Sequence, residues 1–428
     1  MKKILIRIVG ILAIFEIAWL VLANIALNLP LTQELVNKHK PEKYAVRWDR
    51  AWSWYPLRVH ARGIAATGQT ASQQWQADAP GAAASVSVLP LLMRTVRISG
   101  VEARDAEFRL RPRSRPDKDY GPIREFFPPI RDRDPDLPAA PKAKKAGDGW
   151  KILVDDIKAS GSHEVWIYQV RAALSGELVA DVSYTTRGGP FSLSGGKADV
   201  EVGSLQINAE EAVSPGGTLE GSFEMAPFVP SEHRGLKALA FLTADATLDL
   251  PVDSLDFLDV YLRRINGMEV DGKGTWQGRL NYEKGNITTG TDMVVSASEL
   301  ILNASPYKVQ GTGDISIRAG SEVPDTLDLH FGFGTLAAFH DGSETALFTG
   351  EKLDIGIRGS NRLLLDEKRH TGNASFVVDI PTVSVPDLRA YQYLLPEKWQ
   401  ILLNGGSGEL SGRAEMSSTD LTADLRLV

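Results

Sequence analysis

The chain of 428 residues has no cysteine, and its seven histidines are far apart. Without cysteine there is no disulfide, no thiolate metal ligand and no cysteine nucleophile. The histidines show no metal-ligand spacing, and neither a zinc-protease motif nor a nucleophile elbow is present. We therefore expect a protein that is not an enzyme and that holds no cofactor and no metal.

The sequence also lacks a nucleotide-binding loop and an extended basic region. None of its glycine clusters carries the Lys-Ser/Thr pair of a phosphate-binding loop. A net charge of −7 argues against a nucleic-acid partner. Asp155 and Asp156 form a possible carboxylate pair, but neighbouring strand residues point to opposite faces, so a polar strand end is the preferred interpretation.

One long hydrophobic run is present, at the N-terminus. It extends from Ile8 to Leu29, 22 residues, and Lys2, Lys3 and Arg7 precede it. As a helix it would reach roughly 33 Å, against about 30 Å of hydrocarbon in a bilayer. A cleaved signal peptide is the alternative, but its apolar stretch is usually about 7–15 residues. We expect an uncleaved anchor with a cytoplasmic N-terminus and an exported remainder.

The second half of the chain repeats itself. An Asp-Leu/Ile-Pro sequence is followed twelve residues later by tyrosine and then by Gly-x-Gly-x-x-x-Gly-Arg, first from Asp249 to Arg279 and again from Asp379 to Arg413. A repeat of β-patterned segments is typical of an array that grows by adding similar units. Copy two stops at Val428 within an alternating segment, so we expect either further sequence or a last strand that pairs with something else.

Each copy contains a short segment with helical spacing after its proline. Leu255, Leu258 and Tyr261 in copy one match Val385, Leu388 and Tyr391 in copy two. Ser254 and Ser384 are the predicted N-caps of these helices. The glycines that follow suit turns or bulges between strands.

Alternation of apolar and polar residues dominates from Trp150 onward and predicts strands with one apolar face. The candidate groove-lining residues are the apolar positions of two such strands: Leu178, Ala180, Val182, Tyr184, Leu327, Leu329, Phe331 and Phe333. Such a face is covered by a second sheet, by helices or by a ligand with long apolar chains. Periodicity alone does not distinguish a trough from a sandwich.

Three features precede that region. The tryptophans at 48, 52 and 54 are interpreted either as membrane-interface residues or as core at the end of a sheet. Arg109 and Arg111 lie at a strand end that is either solvated or a headgroup site. Residues 112–149 are rich in proline and charge and predict a loop. The predicted segments are therefore 1–30 (tip and anchor), 31–111 (β), 112–149 (loop), 150–248 (β), 249–378 (copy one) and 379–428 (incomplete copy two).

The anchor, the aromatic opening from Tyr44 through Trp48 to Pro56, the strand from Gly100 to Arg109 and the repeat together resemble the AsmA-like family of Gram-negative envelope proteins. The resemblance covers nearly the whole chain, although its motifs are glycine and alternation patterns. It implies a mainly β fold, in which an N-terminal transmembrane helix precedes an elongated, curled antiparallel sheet, or trough, with a few short helices. The proline-rich insertion and the abrupt end depart from the family pattern.

The resemblance also implies a function. A single-pass protein of the bacterial inner membrane, with its bulk in the periplasm, would carry phospholipid acyl chains in a hydrophobic β-groove toward the outer membrane, as bridge-like lipid transfer proteins do. Other envelope proteins would meet it at the C-terminal end. The alternative is a scaffold or assembly factor for outer-membrane proteins. A conduit needs an unbroken apolar lining, whereas a scaffold fills its core with side chains.

Overall fold

The computed structural model describes the chain except for residues 1, 39–41, 55–56, 71–72, 115–120, 137–148, 168–169, 208–211, 234, 260–267, 321–325, 361–373 and 418–419. The described part is mainly β, as predicted, and most of its strand pairs are antiparallel. Two α-helices lie at the N-terminus, α1 Lys2–Asn28 and α2 Pro30–Lys38.

The strands that the structure describes are, in chain order, β1 Tyr44–Arg47, β2 Arg50–Trp52, β3 Arg58–Gln69, β4 Gln73–Ser87, β5 Thr95–Arg104, β6 Glu107–Pro112, β7 Lys151–Ile167, β8 Val170–Thr185, β9 Phe191–Ile207, β10 Ala212–Ser214, β11 Thr218–Phe228, β12 Leu242–Val252, β13 Glu269–Glu283, β14 Asn286–Ile287, β15 Asp292–Ala304, β16 Tyr307–Ala319, β17 Thr326–His340, β18 Phe348–Ser360, β19 Ser375–Val385, β20 Gly408–Met416 and β21 Leu421–Leu427. They belong to two compact units, residues 1–210 with 220–238, and residues 211–219 with 239–428.

The first unit contains α1, α2, β1 to β9 and most of β11. Its strands pair with their neighbours in antiparallel fashion, except at one step. There β5 and β6 both run parallel to β7. Together β5 and β6 act as one long strand that β4 flanks on the other side, interrupted at Asp105, whose φ is 50°. A parallel pair requires a crossover connection, and the proline-rich segment supplies it.

The second unit is a meander of antiparallel strands from β12 to β21. The two sequence copies form the same local structure, in which a strand is followed by a 3₁₀ helix and then by a second, antiparallel strand. In copy one these elements are β12, Asp256–Leu258 and β13. In copy two they are β19, Leu388–Leu394 and β20. The short helices are thus 3₁₀ helices. Tyr261 lies outside the described residues.

The repeated glycines have the role that the pattern indicates. Gly278 and Gly412 adopt φ of 135° and 146°. A Cβ at Gly278 would lie 2.2 Å from the carbonyl oxygen of Asp292, and a Cβ at Gly412 would lie 2.0 Å from that of Asp424. Only glycine allows this backbone conformation and this close approach of the next strand.

The predicted N-caps differ between the copies. The hydroxyl of Ser254 accepts a hydrogen bond from the Asp256 N–H at 3.2 Å, close to the start of its 3₁₀ helix. Ser384 instead pairs within the sheet, opposite Glu409 of β20. The cap of the second 3₁₀ helix is Asp387, whose carboxylate accepts from the Arg389 N–H at 2.9 Å. The predictions of N-caps at Ser254 and Ser384 are therefore both wrong, because the N-cap of the first 3₁₀ helix is Leu255 and β19 continues to Val385.

Candidate functional site

An apolar face extends across β7, β8 and β9 of the first unit. Directly opposed residues of paired strands point to the same face of a sheet. Leu178 lies opposite Ala159 of β7 and Ala198 of β9. The same register places on this face Ile152, Val154, Ile157, Val165, Ile167, Val170, Ala172, Leu174, Ala180, Val182, Tyr184, Phe191, Leu193, Val200, Val202, Leu205 and Ile207.

The opposite face of these strands is polar. Lys158 of β7 pairs with Glu177 of β8 at 2.8 Å, and Glu164 pairs with Arg171 at 3.0 Å. Asp155 pairs with Arg97 of β5 at 2.6 Å. These pairs are at least partly exposed, so they contribute little to stability, but they make this face unsuitable for acyl chains. The sheet is therefore amphipathic, with one face for water and one for apolar contact.

The apolar face of β8 is partly covered. Leu178, Ala180, Val182 and Tyr184 are all half-buried. Burial raises the pKa of the Tyr184 hydroxyl above its usual value, as expected where apolar groups surround a phenol. His163 of β7 interrupts this face, and its Nδ1 accepts a hydrogen bond from the Ala106 N–H at 3.2 Å. In β8 the side chains of this face are therefore partly exposed.

The other four candidate lining residues lie in the second unit, and their surroundings differ. Phe331 lies opposite Ile315 of β16 and Ile355 of β18. Its exposure is 0%, that of Phe333 is 1%, and Leu327 and Leu329 are also buried. The apolar face of β17 is therefore covered. The candidate lining thus falls into two groups, a half-open face in β8 and a closed core in β17.

Arg109 and Arg111 are neither solvated nor free for a headgroup. Arg111 is buried, and its guanidinium donates to Gln74 Oε1 at 2.9 Å and to the carbonyls of Pro128 and Arg133 at 3.2 and 2.8 Å. Burial lowers the pKa of Arg111 from its ordinary value. Arg109 pairs with Glu107 at 2.7 Å and lies over the ring of Trp166. Both interpretations made from the sequence are wrong, because both guanidinium groups are bound by other groups of the protein.

The carbonyls that hold Arg111 belong to the proline-rich segment. Residues 124–136 lie on the polar face of β4, where the Arg131 N–H donates to Gln76 Oε1 at 3.0 Å and the Arg131 guanidinium to Asp78 at 2.6 Å. Ile130 is buried there. The described part of the predicted loop includes a 3₁₀ helix, Gly121–Phe126, and is attached to the sheet by specific hydrogen bonds.

The helices lie along the edge formed by β1 and β2. The Asn24 side-chain amide donates to the Ser53 carbonyl at 2.9 Å and accepts from the Ser53 N–H at 2.9 Å. Asn28 makes the same pair of bonds with Ala51, at 2.6 and 3.2 Å, and Asn37 with Val46, at 2.9 and 2.8 Å. Three asparagines thus take the place of a neighbouring strand on an otherwise open edge. This role was not predicted, although Asn24 and Asn28 lie four residues apart on one face of α1, which was the available signal.

The predicted anchor residues lie in or beside α1. Helix α1 begins at Lys2, and the side chains of Arg7, Ile8 and Leu29 are exposed. Among the described residues, no single helix meets the length and hydropathy criteria for a membrane span. Ala13–Asn28 and Pro30–Lys38, bent by 66°, meet them only as a pair.

The three tryptophans near this edge have different surroundings. The Trp48 indole N–H donates to the Leu27 carbonyl of α1 at 2.9 Å, and the Trp52 ring stacks on His60 at 5.6 Å between centroids. Trp54 is 67% exposed. Trp48 and Trp52 therefore pack within the protein. Of these three tryptophans, only Trp54 is exposed enough to contact a membrane.

Possible metal ligands are not clustered in the part of the chain that the structure describes. It contains no group of three or more His, Asp or Glu side chains placed to hold a metal ion. Asp155 is paired with Arg97, and Asp156 occupies a bulge of β7 with φ of 53°. In comparisons with known proteins, no family model, curated protein or solved structure matches the chain.

Proposed function

We propose that the chain is an AsmA-like protein of the bacterial inner membrane. In this proposal α1 anchors it, its N-terminus is cytoplasmic, and the sheet lies in the periplasm as an elongated, curled trough. The apolar face of the first unit carries phospholipid acyl chains toward the outer membrane, with no chemical step. The observation that supports this function best is the apolar face of β7, β8 and β9, which is half-buried in β8 and buried at Ala198, Val200 and Val202 of β9.

The physical advantage of such a face is large. Each buried CH₂ group is worth about 0.8 kcal/mol, so moving an acyl chain through water is prohibitive. An apolar wall removes most of that barrier while the headgroup remains in water. The chain contributes the path, and direction comes from a partner or from lipid gradients.

A scaffold for outer-membrane proteins is the second candidate. Two observations in the second unit favour it. Phe331 and Phe333 lie in a closed core that leaves no path for an acyl chain. An exposed apolar patch is also available to a protein partner, and it includes Tyr393, Leu394, Trp399, Ile401 and Leu402, of which Tyr393, Ile401 and Leu402 line one surface cleft.

Site-specific photocrosslinking in cells distinguishes the two functions. A photoreactive amino acid would replace Leu178 on the apolar face of β8, or its neighbour Val179 on the polar face, where Val179 lies between Lys158 and Lys197. The full chain would be irradiated and its adducts weighed by mass spectrometry. We expect phospholipid adducts at position 178 and several-fold fewer at position 179. Equal labelling at both positions, or protein adducts alone, would contradict lipid carriage and favour the scaffold.

A further inference from the structure

Several chain segments meet at one end of the strands of the first unit. Arg58 of β3 lies opposite Ser85 of β4, and Thr95 of β5 lies opposite Lys151 of β7. Lys151 in turn lies opposite Thr185 of β8. The turn after β4, the approach to β7 and the turn after β8 are therefore neighbours at this end.

The turn between β4 and β5 exposes its hydrophobic side chains. It is a 3₁₀ helix, Leu89–Met93, in which Leu89, Leu92 and Met93 are 78%, 86% and 76% exposed. Pro90 restricts the backbone, and Arg94 ends the turn in the left-handed region with its carbonyl bound to the Lys151 N–H at 3.0 Å. The turn is thus held in a defined conformation that presents apolar groups outward.

Basic residues predominate at this end, although Arg58 and Arg97 are paired with Glu102 and Asp155 at 2.9 and 2.6 Å. The segments 53–60, 85–98, 149–154 and 183–194 contain Arg58, Arg94, Arg97, Lys151 and Arg187 and no aspartate or glutamate. The whole chain, by contrast, has a net charge of −7. Exposed leucine and tryptophan side chains beside lysine and arginine are favoured at the interface of a membrane with anionic headgroups.

Helix α1 extends toward the same end. Asn28 binds Ala51 and Asn24 binds Ser53, so the helix runs antiparallel to β2. Trp19, one turn further toward the helix N-terminus, donates to the Ser53 hydroxyl at 3.1 Å. The part of α1 before Trp19 therefore continues beyond Ser53, past the exposed Trp54. Its side chains include Ile11, Ile14, Phe15 and Ile17, all exposed.

We propose that the turn Leu89–Met93 is a second membrane contact, which inserts into the headgroup region of an anionic bilayer beside α1. This inference rests on the proposed anchor. The contact places the end of the apolar face of β7, β8 and β9 at the membrane, since Ile152, Tyr184 and Phe191 are the residues of that face nearest to this end. Acyl chains would then pass from the bilayer to the sheet without crossing water.

The absence of native cysteine allows a direct test with single-cysteine variants of the full chain. Leu92→Cys and Met93→Cys would report on the turn, Phe15→Cys on the anchor, and Glu125→Cys would be the water-exposed control. Each would carry an environment-sensitive fluorophore in vesicles of phosphatidylcholine with or without phosphatidylglycerol. Lipids brominated near the headgroup or deep in the acyl chain would serve as quenchers.

We expect shallow quenching at positions 92 and 93, deeper quenching at position 15 and none at position 125. Phosphatidylglycerol would strengthen the quenching at position 92, and Arg187→Glu together with Lys151→Glu would reverse that gain. If position 15 is quenched but positions 92 and 93 behave like position 125, the second contact is wrong and the anchor stands. If position 15 is not quenched either, the anchor is wrong, and this inference fails with it.

Discussion

The side chain of Asn24 makes with Ser53 the two hydrogen bonds that a neighbouring strand would make, each at 2.9 Å. Asn28 repeats this arrangement with Ala51, and Asn37 with Val46. A helix has no free backbone groups to offer a sheet edge, so side-chain amides, each with a donor and an acceptor, are the chemical solution. The backbone hydrogen-bonding groups of Ser53, Ala51 and Val46 are thereby satisfied, and the direction of α1 relative to β2 is fixed.

Asn24→Leu removes both bonds but keeps the side-chain volume. It leaves the N–H and carbonyl of Ser53 without these partners, which we expect to cost about 1–2 kcal/mol locally. Hydrogen exchange of the Ser53 amide should become roughly 5- to 30-fold faster. Asn37→Leu is the matched control, because it should accelerate exchange at Val46 and leave Ser53 unchanged. Equal exchange at Ser53 in the wild type and in Asn24→Leu would contradict the role of Asn24.

The repeated glycines give a second prediction. Gly278→Ala and Gly412→Ala each place a Cβ about 2 Å from a carbonyl oxygen at a positive φ, at 2.2 and 2.0 Å. Each should destabilise the second unit by about 1–3 kcal/mol in urea unfolding. Gly203→Ala in β9 is the control, because its Cβ would lie 3.5 Å from the nearest atom. Similar losses for Gly203→Ala and the other two variants would show that the close approach is not the cause.

The sequence predicted the strands because period-2 alternation reflects directly which side chains face the core. It also revealed the repeat, since Gly278 and Gly412 meet a backbone requirement that no other residue meets. The parallel step at β7 was not predictable, because alternation is the same in parallel and antiparallel strands when one face is polar. The attachment of residues 124–136 was missed for a related reason, since a glutamine such as Gln76 on a polar face gives no signal that a loop will cover it.

The candidate lining residues show the same limit of prediction from sequence patterns. Leu178 and Phe331 both lie in segments of alternating apolar and polar residues, yet Leu178 is half-buried and Phe331 has 0% exposure. Periodicity identifies the apolar face of a strand but does not say what covers it. That depends on packing between strands distant in the chain, which no local pattern encodes.

Arg111→Met tests the attachment of the proline-rich segment. The variant removes three hydrogen bonds, to Gln74, Pro128 and Arg133, and leaves their oxygens without that donor. We expect residues 124–136 to loosen and trypsin to cleave after Arg131 or Arg133 several-fold faster. Arg47→Met is the control, because the ion pair of Arg47 with Asp132 is exposed and weak. Unchanged cleavage in Arg111→Met would mean that other contacts hold the segment.

Tyr282 predicts a dependence of stability on alkaline pH. Its hydroxyl donates to the Leu239 carbonyl at 3.3 Å, and burial raises its pKa to about 12. A folded-state pKa above the unfolded value of about 10 means that this contribution is complete below pH 10 and is lost between about pH 10 and 12. Tyr282→Phe should show a smaller loss of stability over that window in urea unfolding. An identical loss in the variant would exclude Tyr282 as the group responsible.

The contrast between the two apolar faces gives the last prediction. Phe331→Ala empties part of a closed core and should cost about 3–5 kcal/mol, because the surrounding strands β16 and β18 cannot collapse into the cavity. Leu178→Ala removes a half-buried side chain from an open face and should cost about 1 kcal/mol, because water or lipid fills the space. Urea unfolding of both variants measures the difference. In the presence of phospholipid, only the Leu178→Ala variant should lose part of a lipid-dependent gain in stability, since Phe331 is out of reach of an acyl chain. Comparable costs at both positions would mean that the face of β8 is closed in solution, and lipid carriage by that face would be excluded.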